Sequence, residues 1–322
     1  MSSPVVCIGE PLVLVATDGE HVGGAEANVA SGLAAAGVAV AWAGRVGADT
    51  YGDLVRRELA ARGVDLGLVE VDPARPTGWY SKTTSVAASG ERVTESHYNR
   101  AGSAASAMAS GFLERLAGAS LIHCSGITAA LSPECAGLMR ALVCERTHVA
   151  GAVVSFDVNW REQLWPGGDP ATVVELARAA DVVLVGGDEA ERVFGTADVG
   201  KLRTIMPGPR TIVVKDGARQ AIAIAADGST ESVPALAVDV VEPVGAGDAF
   251  AAGFLTGVAR GEAVRTCLRR GHIGAATTLT VRADVAVPPA DIVETLLACT
   301  DDVWRNTRVT RHGFAIPGGG GV

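Results

Sequence analysis

Short runs of β-branched and aliphatic residues alternate along the chain with longer stretches in which apolar residues recur at helical spacing. Val5 to Ile8, Val38 to Ala43, Leu121 to His123, Ala152 to Phe156, Val182 to Val185 and Thr211 to Val214 read as strands. Ala25 to Ala36, Tyr51 to Arg62, Pro133 to Cys144, Pro170 to Ala179 and Glu189 to Phe194 read as the helices between them, with Asp49 or Thr50 as the N-cap of the second. These strands are apolar along their whole length, so both faces of their sheet must be covered. The β-α-β-α order therefore predicts an α/β fold with a mostly parallel central sheet.

One segment breaks the rhythm. From about Asp72 to His97 helical spacing is absent, and Trp79 to Val86 and Arg92 to Tyr98 read as extended strands around a turn at Ala88-Ser89-Gly90-Glu91. With a short strand at Leu12 to Ala16 they make a small β-lid built from two insertions, over 12–22 and 72–98. Residues 1–11, 23–71 and 99–311 then form the α/β domain. The Gly-rich stretch 312–322 reads as a flexible tail.

Composition narrows the picture. The chain has 322 residues, 48% of them hydrophobic, which is ample for a large core. Its formal charge is -9, so its average field repels nucleic acids and anionic membranes; bound phosphates need local donors. The six cysteines form no C-x-x-C pair and no zinc-ligand spacing, which fits reduced thiols in a cytoplasmic protein. No basic segment precedes an apolar run at the N-terminus. The uncharged stretch between Glu26 and Arg45 is split by Gly37 into a helix and a buried strand rather than a membrane span.

The most informative stretch is Val238-Asp239-Val240-Val241-Glu242-Pro243-Val244-Gly245-Ala246-Gly247-Asp248-Ala249-Phe250. It reads as a strand, a glycine turn and a helix opening at Asp248 and running to about Arg260. Exposed amides of the turn and the positive end of the helix suit an anion. A carboxylate beside them can accept the proton of an attacking hydroxyl. On spacing alone, a general base and a simple helix cap are equally supported for Asp248. Neither a Walker A pattern nor a G-x-G-x-x-G fingerprint occurs, which argues against a P-loop kinase and a dehydrogenase.

Pro243 to Phe250 resembles the C-terminal signature of the ribokinase-like, phosphofructokinase-B type sugar kinases. Gly23-Gly24-Ala25-Glu26-Ala27-Asn28-Val29-Ala30, with Gly44 to Asp49 and Gly52, resembles their N-terminal signature. The resemblance implies a three-layer α/β/α domain with a β-lid, binding ATP and Mg²⁺. It implies Asp248 as general base and the backbone of Gly245, Ala246 and Gly247 as the anion hole. Gly24, Ala25 and Asn28 carry over as sugar contacts, and Lys215, Gly217, Ala218, Arg219 and Ala221 as the nucleotide loop. Within the family, Tyr98 to Ala104, Ser125 to Ser132 and Asp157 to Trp165 are similar to 2-keto-3-deoxygluconate kinases.

An acid sugar suits guanidinium groups, which bind both carboxylate oxygens. Arg100 and Arg161 are expected to face such a substrate, with solvated or ion-paired roles as alternatives. Tyr80 and Tyr98 either cover the sugar or pack the lid. Asp284 matches an acidic position near the substrate. Asn159 and Arg161 are expected beside the nucleotide. Asp157 and Glu189 are expected to reach Mg²⁺ through water, with a solvated helix-start acid as the other reading of Glu189. Gly186-Gly187-Asp188-Glu189 departs from the usual N-x-x-E pattern, and Glu242 replaces a usual Asp, which leaves a monovalent-cation site open.

The expected activity is transfer of the ATP γ-phosphoryl group to a primary hydroxyl of a sugar or sugar acid, with 2-keto-3-deoxygluconate giving its 6-phosphate. A fructokinase, ribokinase or nucleoside kinase, or a catalytically silent sugar-binding protein of the same fold, are the alternatives. Exposed lid edges suit a homodimer or higher homo-oligomer.

Overall fold

The computed structural model describes residues 4–16, 19–86, 92–283 and 285–317, with side chains for all of these except 82–86, 92–96 and Pro166. The first third holds β1 (Val5–Ile8), β2 (Leu12–Ala16), β3 (Gly19–Gly23), α1 (Ala25–Ala35), β4 (Val40–Gly47), α2 (Thr50–Ala61), β5 (Val69–Asp72), β6 (Trp79–Val86) and β7 (Arg92–Asn99). Then follow β8 (Leu121–Ser125), α3 (Gly126–Ala130), α4 (Pro133–Val143), β9 (Val153–Asp157), α5 (Ala171–Ala179), β10 (Val182–Gly186), α6 (Gly187–Phe194) and α7 (Val199–Ile205). The last third holds β11 (Thr211–Asp216), β12 (Gln220–Ala225), β13 (Thr230–Pro234), β14 (Ala237–Val238), α8 (Ala246–Ala259), α9 (Val264–Leu279), α10 (Ala290–Ala298), α11 (Asp301–Asn306), β15 (Arg308–Thr310) and β16 (Gly313–Ala315).

Nine strands form one sheet in the order β13-β12-β11-β10-β9-β8-β1-β4-β5. From β11 to β5 every pairing is parallel, and only β12 and β13 turn back antiparallel at one edge. Apolar runs without alternation are what a sheet covered on both faces requires. In β1, Val5 and Cys7 join one core with Trp42, Phe250 and Phe254, while Val6 and Ile8 join the other with Leu138 and Phe156. The result is an α/β/α sandwich. Between α1 and β4, Gly37 takes the left-handed conformation (φ 77°), so the uncharged stretch divides as its glycine implied. Among the described residues no helix is long and apolar enough to cross a membrane.

A separate four-stranded sheet has the order β3-β2-β6-β7. Its first segment carries a full antiparallel hairpin, where the sequence suggested only a short strand at Leu12 to Ala16. Val22 pairs with Val13 and both are buried, which gives β3 an inward face despite its charged start. The expected turn at 88–91 lies outside the described residues.

Two further expectations are corrected. The stretch from His312 is not all free tail, because Phe314 is buried and Gly313–Ala315 pairs with β15; residues 318–322 lie outside the described residues. Ahead of the glycine turn only Ala237–Val238 is a strand. Val240 and Val241 stand in solvent and Pro243 has no amide to donate, so no ladder continues there.

Candidate active site

Five neighbouring parallel strands end at one edge of the sheet: β1 just before Glu10, β8 at Ser125, β9 at Asp157, β10 at Gly186 and β11 at Lys215-Asp216. Open α/β sheets bind ligands at this edge. Helix α8 begins at Ala246, two residues earlier than its sequence suggested, because Gly245 (φ 83°) is its N-cap. Asp248 is therefore the third helical residue. No side chain caps this end, so its first amides point outward unclaimed.

Asp248 is half-buried, and Oδ2 accepts a hydrogen bond from Nδ2 of Asn28 at 2.8 Å. Burial pushes its carboxyl up to about 7, with Asp157 adding to the rise and Asn28, Lys215 and Arg161 opposing it. Lys215 Nζ sits 2.9 and 3.2 Å from the two oxygens of Asp157. Burial pulls the ammonium down, but Asp157, Glu189 and Asp248 outweigh it and hold it charged.

Small residues bring Asn28 to Asp248. Gly24 has φ 110°, and a Cβ there would stand 2.4 Å from the Glu10 carbonyl oxygen. One turn beyond Asn28, Gly32 faces Ala252, which lies one turn beyond Asp248; a Cβ on Gly32 would come within 2.6 Å of the Ala252 methyl. The helices cross closely only because that wall is glycine and alanine.

The other expected residues divide. Arg161 is half-exposed beside the site, with Nη1 3.4 Å from Glu189. Glu189 caps its own helix by accepting from the Gly186 amide at 2.8 Å, and burial raises its carboxyl against the pull of Lys215. Glu189 is thus neither solvated nor free. Asn159 is buried with φ 39°, a strained backbone at the strand edge. Ala25 opens α1 beside Gly24. Gly217 (φ 52°), Ala218 and Arg219 form an exposed turn after β11, and Arg219 pairs with Asp216. Ala221 departs from expectation: its side chain is fully buried within β12 and faces the core. Tyr80 is buried and stacks on exposed Tyr98 at 5.3 Å. Asp284 lies outside the described residues.

Arg100 directly follows β7, and its side chain is largely buried. Its guanidinium is paired with Glu10 and lies 5.4 Å over the Tyr98 ring. Glu10 is 1% exposed, and burial pushes its carboxyl up to about 7 against the pull of Arg100. Glu26 beside it is also buried, accepting from the hydroxyls of Ser125 and Thr128. The sequence drew no attention to Glu10 as a partner. Its one cue was position, an acid directly following a buried strand at the binding edge. Asn28 also forms one wall of a separate cleft of about 270 Å³ between α1, α8 and α9, which Asp157, Arg161 and Lys215 do not line.

The family profile described as pfkB family carbohydrate kinase matches residues 5–290. A 2-dehydro-3-deoxygluconokinase of Bacillus subtilis is 33% identical, covering 81% of this chain and 82% of the relative. A fructokinase of Klebsiella pneumoniae is 31% identical, covering 80% and 85%. The solved structure of a 2-dehydro-3-deoxygluconokinase from Thermotoga maritima shares the fold with a TM-score of 0.80 at 22% identity, covering 93% of this chain and 99% of that one. With the profile spanning most of the chain and relatives above 30% identity along four-fifths of it, the chain belongs to the pfkB family of carbohydrate kinases.

Proposed function

We propose that the chain transfers the γ-phosphoryl group of ATP to the primary hydroxyl of a 2-keto-3-deoxy sugar acid, with 2-keto-3-deoxygluconate giving its 6-phosphate. One observation carries the chemistry: a carboxylate with a raised pKa stands at the uncapped N-terminus of a helix. Asp248 takes the proton of the attacking hydroxyl. The amides of Gly245, Ala246 and Gly247 meet the charge that develops on the phosphoryl oxygens. Gly24, Ala25 and Asn28 hold sugar hydroxyls, and the turn from Gly217 to Arg219 borders the nucleotide. The four-stranded sheet serves as the lid, with Tyr98 over the sugar.

Mg²⁺ takes oxygen ligands and keeps several waters. Among the described residues no cluster of three or more acids, histidines or cysteines could cage a metal. Lys215 holds Asp157 at both oxygens and the Gly186 amide holds Glu189, so these acids fit a phosphate-borne ion reached through water. When bound, Mg²⁺ neutralises charge on the transferring phosphates.

The acid substrate rests on Arg161 and on the keto-deoxy acid kinase relative. A specific observation favours a second reading. Arg100 is already paired with Glu10, which leaves one guanidinium for a carboxylate and suits a neutral ketohexose. Coupled ATP-consumption kinetics over keto-deoxy acids, ketohexoses and pentoses separate the two. The highest kcat/KM is expected for a keto-deoxy acid; equal or better turnover of fructose would overturn that choice. Arg161→Ala is expected to cost about 1.5–3 kcal/mol of acid-sugar binding, roughly ten- to hundredfold in KM. The same change should leave KM for fructose nearly unaltered.

A further inference from the structure

We propose that Asn28 is a positioning residue for Asp248, one amide holding the base with its nitrogen and a second sugar hydroxyl with its oxygen. The inference rests on the kinase reading but on different atoms. Nδ2 of Asn28 donates to Asp248 at 2.8 Å. Oδ1 of the same amide is buried and, among the described residues, accepts from no protein group. A buried carbonyl without a donor is costly, so such a group calls for a ligand.

The amide cannot be turned to relieve this. Exchanging its two ends would set Oδ1 against the ionised carboxylate that Asp248 must present to act as base, oxygen against oxygen. Asn28 therefore offers the substrate an acceptor only. A hydroxyl satisfies it, whereas a carbonyl or carboxylate does not. The substrate class that completes the site is a polyol with two hydroxyls in reach of each other, one facing Asp248 and one facing Oδ1.

The close approach of α1 and α8 makes the contact rigid. Asn28 and Gly32 are successive turns of one helix, and Asp248 and Ala252 of the other. Other charged groups face the same carboxylate: Asp157 from β9 disfavours its charge, while Lys215 from β11 and Arg161 after β9 favour it. Asn28 adds a neutral donor to that set, one whose other end senses the sugar.

The direct test needs no substrate. With aspartate labelled by ¹³C at its carboxyl, the Asp248 signal is assigned by its loss in Asp248→Asn. Its titration midpoint is then compared between the wild-type protein and Asn28→Ala. Loss of the hydrogen bond is expected to raise the midpoint by about one unit. Asn28→Asp, which adds a like charge, is expected to raise it further, and Asn28→Ser less. In kinetics, the acid limb of kcat/KM should move up with it. With a deoxy analogue lacking the second hydroxyl, wild-type and Asn28→Ala KM values should converge. An unmoved midpoint, or a raised KM with an unmoved acid limb, would overturn the proposal and leave Asn28 as a sugar contact alone. Should Asn28→Ala not fold, Asn28→Ser carries the same comparison. Failure of every sugar to be phosphorylated would count against the kinase reading and not against the titration.

Discussion

Asp248 is held in an environment that works against its own charge. Burial lifts its carboxyl from an ordinary 3.8 to about 7. The folded protein therefore binds that proton more tightly than the unfolded chain does. Deprotonation opposes folding, and the opposition grows as pH rises from about 4 through 7, then levels off. Asp248→Asn removes it. Urea unfolding at a series of pH values is expected to show the variant gaining on wild-type between pH 4 and 7 and staying ahead above it. A constant difference across that range would mean that the carboxylate is not destabilised by its site. Asp248, Asn28 and Lys215 were readable in the sequence because each sits in a dense local motif. Glu10 was not, because its partner Arg100 is 90 residues away and a single acid after a strand has no spacing to mark it. The sequence therefore supports a substrate contact or a solvated role for Arg100, and its pairing with Glu10 has no cue there.

Between elements, the decisive contact is α1 against α8. Gly32 and Ala252 leave no room for a larger side chain. Gly32→Val is expected to wedge the helices apart and destabilise the protein by about 1–3 kcal/mol, measured by chemical unfolding. Turnover should fall with it, since Asn28 and Asp248 ride on the same two faces. Adding Ala252→Gly is expected to restore part of both; additive losses in the double variant would place the strain elsewhere. Helices α1, α2, α4, α5 and α6 and the parallel strands β1, β4 and β8 to β11 followed from apolar periodicity. The elements that escaped include the long helix α9, absent from the sequence reading, and short ones such as β3, with Glu20 near its start, and β16, three residues in a glycine-rich stretch. Both strands depend on one buried residue, Val22 or Phe314, and a single position makes no period.

At the scale of the molecule, the proposed function asks a chain of net charge -9 to hold phosphate at a local site. The donors it offers are an uncapped helix end, a glycine turn and Lys215, held at one edge of a nine-stranded sheet. The second sheet joins this frame through β2 and β3, which flank Glu10 and Gly24, and through the Arg100–Glu10 pair. Composition showed the average field but not this local inversion of it, which depends on tertiary placement. The most direct measurement is the turnover of Asp248→Asn beside its binding of ATP and sugar by calorimetry. Binding is expected to stay near wild-type while kcat falls by about two to four decades. Turnover close to wild-type in that variant would contradict proton transfer to residue 248.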